Sequence, residues 1–152
     1  MHLIFGQDDF IKGWVAKRTN VSSFGPAATI GIADGNRLIA GVVYSNFREG
    51  NIEASIAADH PGWCRRGVLR ALMSYPFDQL QCRRITCLIP STHVKSLRLC
   101  RGLGFKIEGL CREGFGPGVD AIVMGLLRRE CRWLKVEYPG NQQIRTLAAG
   151  SS

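Results

Sequence analysis

Apolar and polar positions divide the chain into short β-type runs and three helical stretches, separated by turns rich in glycine, asparagine, aspartate or proline. Residues 2–5 form a short apolar strand candidate. Asp8 or Asp9 is placed to cap a helix in which Phe10 and Trp14, four apart, share one face. Residues 20–26 read as a loop by composition. Residues 28–33 and 38–46 are rich in β-formers, and Asp34-Gly35-Asn36 between them predicts a tight hairpin, because Asp-Gly tolerates positive φ. Residues 48–51 predict a second turn and residues 52–58 a third strand, so this part is an antiparallel meander.

The period changes after His60-Pro61-Gly62. Val68, Leu69, Leu72 and Met73 follow at helical spacing toward Phe77 and Leu80, with Pro76 placed to kink or loosen the helix. Residues 84–89 form a strand ended by Pro90, and Ser91 or Thr92 is positioned to cap the next helix. Val94, Leu97, Leu99 and Leu103 carry that helix, and Gly104 is a natural stop. Residues 105–111 and 119–127 complete the strands, joined by the Gly/Pro-rich stretch 113–118. The expected order is β-α-β-β-β-α-β-α-β-β. It has no internal repeat and one domain, residues 1–137, followed by a polar tail at 138–152.

Composition narrows the class. Among the 152 residues, 45% apolar and 21% charged are ordinary values for a globular protein with a real core. The formal charge of +8 favours anionic partners such as phosphate-bearing small molecules, nucleic acid or an acidic protein. Six cysteines form no C-x-x-C pair, and the three histidines complete no zinc spacing, so no metal site is expected. Several cysteines lie inside apolar runs, as reduced thiols of a cytoplasmic protein do. The first ten residues carry acids where a secretory leader needs a basic start, and no apolar run reaches the length of a membrane span.

Residues 96–112 read SLRLCRGLGFKIEGLCR, and residues 120–125 read DAIVMG. Leu103-Gly104-Phe105, Glu108-Gly109, Arg112 and Asp120 stand in the order found in the C-terminal half of GNAT acetyltransferases. The chain most resembles the branch containing ribosomal-protein N-terminal acetyltransferases, which often carries an aromatic-x-Phe, here Tyr75-Pro76-Phe77. The stretch from Met124-Gly125 to Arg129-Glu130-Cys131-Arg132-Trp133-Leu134 resembles small GNAT-like proteins of bacteriophages and prophages, for which the compartment would be the bacterial host cytoplasm. The resemblance covers roughly residues 28–134.

That resemblance implies the GNAT acyl-CoA N-acyltransferase fold, an α/β (α+β) arrangement with a mixed, mostly antiparallel sheet flanked by helices. It implies acetyl-CoA as cosubstrate, an amine on a protein or another molecule as acceptor, and direct attack of the amine on the thioester. The fourth and fifth strands would splay apart, with Ile56, Ala57 and Ala58 pairing with the pantetheine arm. The diphosphate would rest on Trp63, Cys64, Arg65, Arg66, Gly67 and Val68, where a helix start offers free N–H groups and Arg65 and Arg66 add charge. The family pattern there is Gln/Arg-x-x-Gly-x-Gly/Ala; Cys64 replaces its first residue and Leu69 its second glycine. Cys100 stands at the position of the family's tyrosine acid, Ser96 at its serine and His93 at its asparagine.

Glu53 is the candidate base, sharing one strand face with Ser55, and Asp59 and His60 are further candidates. Each residue also has a purely structural reading: Cys100 as a core thiol, Ser96 as a helix-surface hydroxyl, His93 at a loop edge and Glu53 in an ion pair. Room for one helix where the family has two suggests an open acceptor cleft suited to a macromolecule. Two alternatives stand beside the transferase: a catalytically degenerate GNAT-fold binding protein of phage origin, and a nucleic-acid-modifying acyltransferase. A homodimer is a candidate assembly.

Overall fold

A computed structural model describes residues 1–135. The polar tail expected at 138–152 lies outside the described residues. The elements are β1 (His2–Ile4), α1 (Asp8–Thr19), β2 (Ala27–Asp34), β3 (Arg37–Arg48), β4 (Asn51–Ala58), α2 (Arg66–Ser74), β5 (Arg84–Pro90), α3 (Val94–Leu103), β6 (Lys106–Cys111) and β7 (Ala121–Leu127). Short 3-10 turns cover Pro61–Trp63, Arg128–Glu130 and Arg132–Lys135.

The strands form one seven-stranded sheet in the order β1-β2-β3-β4-β5-β7-β6. Every neighbouring pair is antiparallel except β4 with β5, which are parallel and joined through α2. This is the mixed, mostly antiparallel sheet expected. Helices α2 and α3 pack on one face, where Leu69, Leu72, Met73, Cys100 and Leu103 join Ile52, Ala54, Ile85, Cys87 and Met124 in the main core. Helix α1 packs on the other face, with Ile11 and Val15 against Leu38, Val43 and Ala57.

Local chemistry explains several boundaries. Pro76 lacks an N–H, and the end of α2 widens at Tyr75–Gln79 into a π-turn, in which the Leu80 amide reaches back five residues to the Tyr75 carbonyl at 3.1 Å. The turn seats Phe77 fully inside the core and sets Tyr75 against Tyr44, ring centroids 4.9 Å apart. The Tyr44 hydroxyl donates to the Leu72 carbonyl at 2.7 Å, and burial pushes its pKa well above the ordinary value. Gly104 ends α3 at φ 108, a conformation that suits glycine, which lets the Phe105 amide turn back to the Cys100 carbonyl at 3.0 Å. The Leu-Gly-Phe motif is therefore a helix stop with a buried residue on each side.

Three local expectations are corrected. Gln7, not an aspartate, stands at the N-cap of α1; the Asp8 carboxylate instead accepts from the Thr29 amide and hydroxyl, tying α1 to β2. Phe10 is 61% exposed, and Ile11 with Val15 carries the buried face of α1. The N-cap of α3 is His93, with no side-chain capping bond, rather than Ser91 or Thr92.

Candidate active site

The seam between β4 and β5 positions the site. The two strands pair over three rungs only: Asn51 with Arg84, Ile52 with Ile85, and Glu53 with Thr86. Beyond Glu53 each strand stays with its outer neighbour. β4 follows β3 as far as Ala58 opposite Ala40, and β5 follows β7 as far as Pro90 opposite Ala121. Residues 54–58 therefore turn an unpaired strand edge toward a slot.

A polar chain holds the closed end. Asn51 accepts from the Thr86 hydroxyl at 2.7 Å, Thr86 accepts from Arg84 Nε at 3.1 Å, and Arg84 reaches across β7 to pair with Glu108 on β6. Gly125 lies beneath this chain, and a side chain there would run into the Arg84 and Glu108 head groups. The Glu-Gly and Met-Gly pieces of the sequence thus serve one construction.

The slot opens into a cavity of about 260 Å³. From β4 it is lined by Glu53, Ala54, Ser55 and Ile56, and from β5 by Cys87, Leu88, Ile89 and Pro90. One wall is α3, which contributes His93, Ser96, Leu99 and Cys100. The opposite wall is the loop after α1, with Val21, Ser23 and Phe24, together with Phe115 from the β6–β7 turn. That turn is fixed by its own polar groups: the Asp120 carboxylate accepts from the Glu113 amide at 2.9 Å, and Glu113 accepts from the Gly118 amide at 2.9 Å. The stretch 113–118 thus borders the cleft. Where the sequence has room for one helix only, the loop after α1 reaches the slot.

The sequence-derived candidates separate into groups. Glu53, Ile56, His93, Ser96 and Cys100 meet around the cavity. Glu53 is half-buried and accepts a hydrogen bond from Asn46 Nδ2 at 2.8 Å; Asn46 sits at φ 54 where β3 bulges. Cys100 is buried and lines the cavity beside Cys87 on β5. The neighbouring Cys87 thiol holds the Cys100 thiol below its ordinary pKa against the opposing pull of burial, whereas the Cys100 neighbour and burial push Cys87 well above. Ala57 points to the α1 core, and Ala58 is exposed at the strand end.

Cys64, Arg65, Arg66, Gly67 and Val68 lie at the start of α2. The first helical bond runs from the Leu69 amide to the Arg65 carbonyl at 2.9 Å, so the Arg66, Gly67 and Val68 amides have no acceptor within the helix. Both arginine side chains are exposed. Leu69, which departs from the family glycine, points inward and is 2% exposed, so its side chain does not cover these amides. Trp63, in the 3-10 turn just before α2, has its side chain buried in the main core. Asp59 and His60 do not line the cavity and are held by local bonds. Asp59 takes a two-pronged pair from Arg18 at 2.7 and 2.9 Å, which holds its carboxyl below the usual range, and His60 Nδ1 accepts from the Gly62 amide at 3.0 Å.

Sequence reasoning missed Cys87, Asn46, Phe24 and Phe115. Cys87 falls in an apolar run that reads as plain core, and its pairing with Cys100 depends on how α3 sits on β5. Among the described residues no cluster of His, Cys, Asp and Glu suits a metal ion, and no helix is long and apolar enough to cross a membrane.

A central sheet that parts after three parallel rungs, with helices flanking it in this order, defines the GNAT fold. Solved structures bear this out. A chimera of the spermidine N-acetyltransferase of Vibrio cholerae and hSSAT matches with a TM-score of 0.66 at 17% identity, over 88% of this chain and 99% of the other. Ribosomal-protein-S5-alanine acetyltransferase of Vibrio fischeri matches with a TM-score of 0.64 at 15% identity, over 86% and 93%. Spermidine N-acetyltransferase of Vibrio cholerae in a dodecameric form matches with a TM-score of 0.66 at 16% identity, over 84% and 93%. At these identities the likeness is one of fold. No protein-family model and no curated protein sequence matches the chain.

Proposed function

We propose that the chain is an acetyl-CoA-dependent N-acetyltransferase whose cosubstrate arm enters the open seam between β4 and β5. The observation that carries this reading is the loss of β4–β5 pairing after Glu53, beside a cavity that reaches both faces of the sheet. An unpaired strand edge is suited to an extended, amide-bearing chain, because both can satisfy their backbone groups by pairing. The free amides of Arg66, Gly67 and Val68, with the Arg65 and Arg66 guanidinium groups, suit a diphosphate. These two features fit the two chemically distinct parts of CoA.

Acetyl-CoA supplies an acyl group activated as a thioester. The protein's own residues orient the acceptor and manage protons. Glu53, held by Asn46, takes the proton that an ammonium must lose before its nitrogen becomes a nucleophile. Cys100, which lines the same cavity, is the residue assigned to return a proton to the departing thiolate. Ser96 and His93 line the same wall and supply hydrogen bonds there. The six free thiols support a reducing, cytoplasmic setting.

A degenerate binding protein is the second reading, favoured by a cysteine in place of the family tyrosine. The inward-facing Leu69 weakens it, since the phosphate-binding amides stay open. The test is steady-state transfer from acetyl-CoA to an amine, read as release of free CoA thiol. Glu53→Gln is expected to lower kcat by about a hundredfold, the scale of a positioned general base, while the Kd for acetyl-CoA stays the same. Equal kcat in the variant would remove Glu53 from the mechanism. Absence of acetyl-CoA binding at millimolar concentration would remove the transferase reading itself.

A further inference from the structure

The acceptor wall of the cavity carries an unusual charge pattern. Among the described residues that line it, Glu53 is the sole acidic side chain, and no lysine or arginine is present. Around it the wall is apolar or uncharged: Val21, Phe24, Leu88 and Phe115, with the hydroxyls of Ser23 and Ser45 and the Asn46 amide that holds Glu53. Phe24 and Phe115 come from two different loops, the one after α1 and the one between β6 and β7, and both are half-buried. The β6–β7 loop is fastened by Glu113 and Asp120, so Phe115 is held by a fixed scaffold.

One carboxylate can neutralise one ammonium. A second or third cation on the same acceptor would find no further carboxylate in the cavity, and a phenyl face offsets only part of the cost of removing its water. The formal charge of +8 adds long-range repulsion of polycations. Aromatic side chains, in contrast, favour an apolar group carried near the reacting nitrogen.

We propose that the acceptor is a primary amine that bears an apolar or aromatic group and no second cation, with Phe24 and Phe115 selecting that group. This rests on the transferase reading above and assigns the acceptor class of the same site. The chemistry is met by a free arylalkylamine or by the N-terminal amine of a polypeptide that begins with an apolar residue.

The experiment compares kcat/KM for three acceptors at saturating acetyl-CoA: 2-phenylethylamine, a short uncharged peptide amide with N-terminal phenylalanine, and spermidine. Calorimetry with acetyl-CoA runs in parallel. At least one phenyl-bearing amine is expected to exceed spermidine by about tenfold or more, the scale of one well-filled apolar pocket. Faster transfer to the peptide supports the class and places it on a polypeptide; faster transfer to the free amine supports the class as a small molecule. Phe115→Ala is expected to cut the preference to about threefold or less, and Phe24→Ala provides the same reading from the other loop. Ser23→Asp, which adds a carboxylate to the wall, is expected to raise spermidine turnover. Spermidine used as well as, or better than, both phenyl-bearing amines overturns the proposal. Acetyl-CoA binding without transfer to either phenyl-bearing amine overturns it too. Failure to bind acetyl-CoA overturns the functional reading on which it stands.

Discussion

The two ends of the β4–β5 seam are built from one pair of strands and behave in opposite ways. At the closed end, three rungs of parallel pairing are reinforced by a polar chain running from Asn51 through Thr86 and Arg84 to Glu108. At the open end, residues 54–58 and 87–90 keep their outer partners and share no rung. The side chains differ accordingly. The closed end is fastened by groups that hydrogen-bond sideways within the sheet, whereas the open end carries Ala54, Ser55 and Ala58, which leave space. A sheet normally satisfies its backbone groups by continuing to pair. Here the closed end sets a fixed origin for the splay, so the gap has a defined width.

Blocking the open end should have the largest effect. Ser96→Trp places an indole in the slot from the α3 wall, where Ser96 is half-buried. Acetyl-CoA affinity is expected to fall by about a hundredfold or more, because the cavity is of ligand size and the ring occupies much of it. Calorimetry reads this, and unchanged far-UV circular dichroism shows that the fold persists. Unchanged affinity would mean that the arm lies elsewhere.

Loosening the closed end should have a moderate effect. Thr86→Val leaves the Asn51 side-chain carbonyl without its donor in a part-buried setting, at an expected stability loss of about 1–2 kcal/mol. Urea unfolding measures it. An equal loss from Asn51→Ala, with no further loss in the double variant, would show that the two act as one unit.

The smallest effect concerns the two thiols, Cys87 and Cys100, that line the cavity. The neighbouring Cys87 thiol favours the Cys100 thiolate, which lowers the Cys100 pKa from its ordinary value. Alkylation of Cys100 by iodoacetamide should therefore rise through a midpoint below the usual thiol value. Cys87→Ala should move that midpoint upward. A midpoint that stays in place in the variant would show that Cys87 does not set it.

Much of this contrast was legible in the sequence, and the exceptions have physical causes. Turn chemistry at Asp34-Gly35, Gly50, Pro76 and Gly104 fixes element boundaries locally, so the order of elements could be read directly. Glu53, Ser96 and Cys100 could be named because motif spacing along a strand and a helix carries to one place. The register at which β4 and β5 part could not be read, because it depends on which outer neighbour each strand keeps. That Leu69 and Trp63, at the expected phosphate turn, both bury their side chains in the core could not be read from spacing alone. Phe24 and Phe115 lie on loops, where no periodicity reports the direction of a side chain.

The central claim is that the unpaired edge of β4 receives the cosubstrate arm. Hydrogen–deuterium exchange across residues 54–58, with and without saturating acetyl-CoA, tests it most directly. The account predicts that amides in this segment gain protection when acetyl-CoA is bound, while those of residues 51–53, already paired to β5, change little. Exchange in residues 54–58 that is the same with and without bound acetyl-CoA would contradict it.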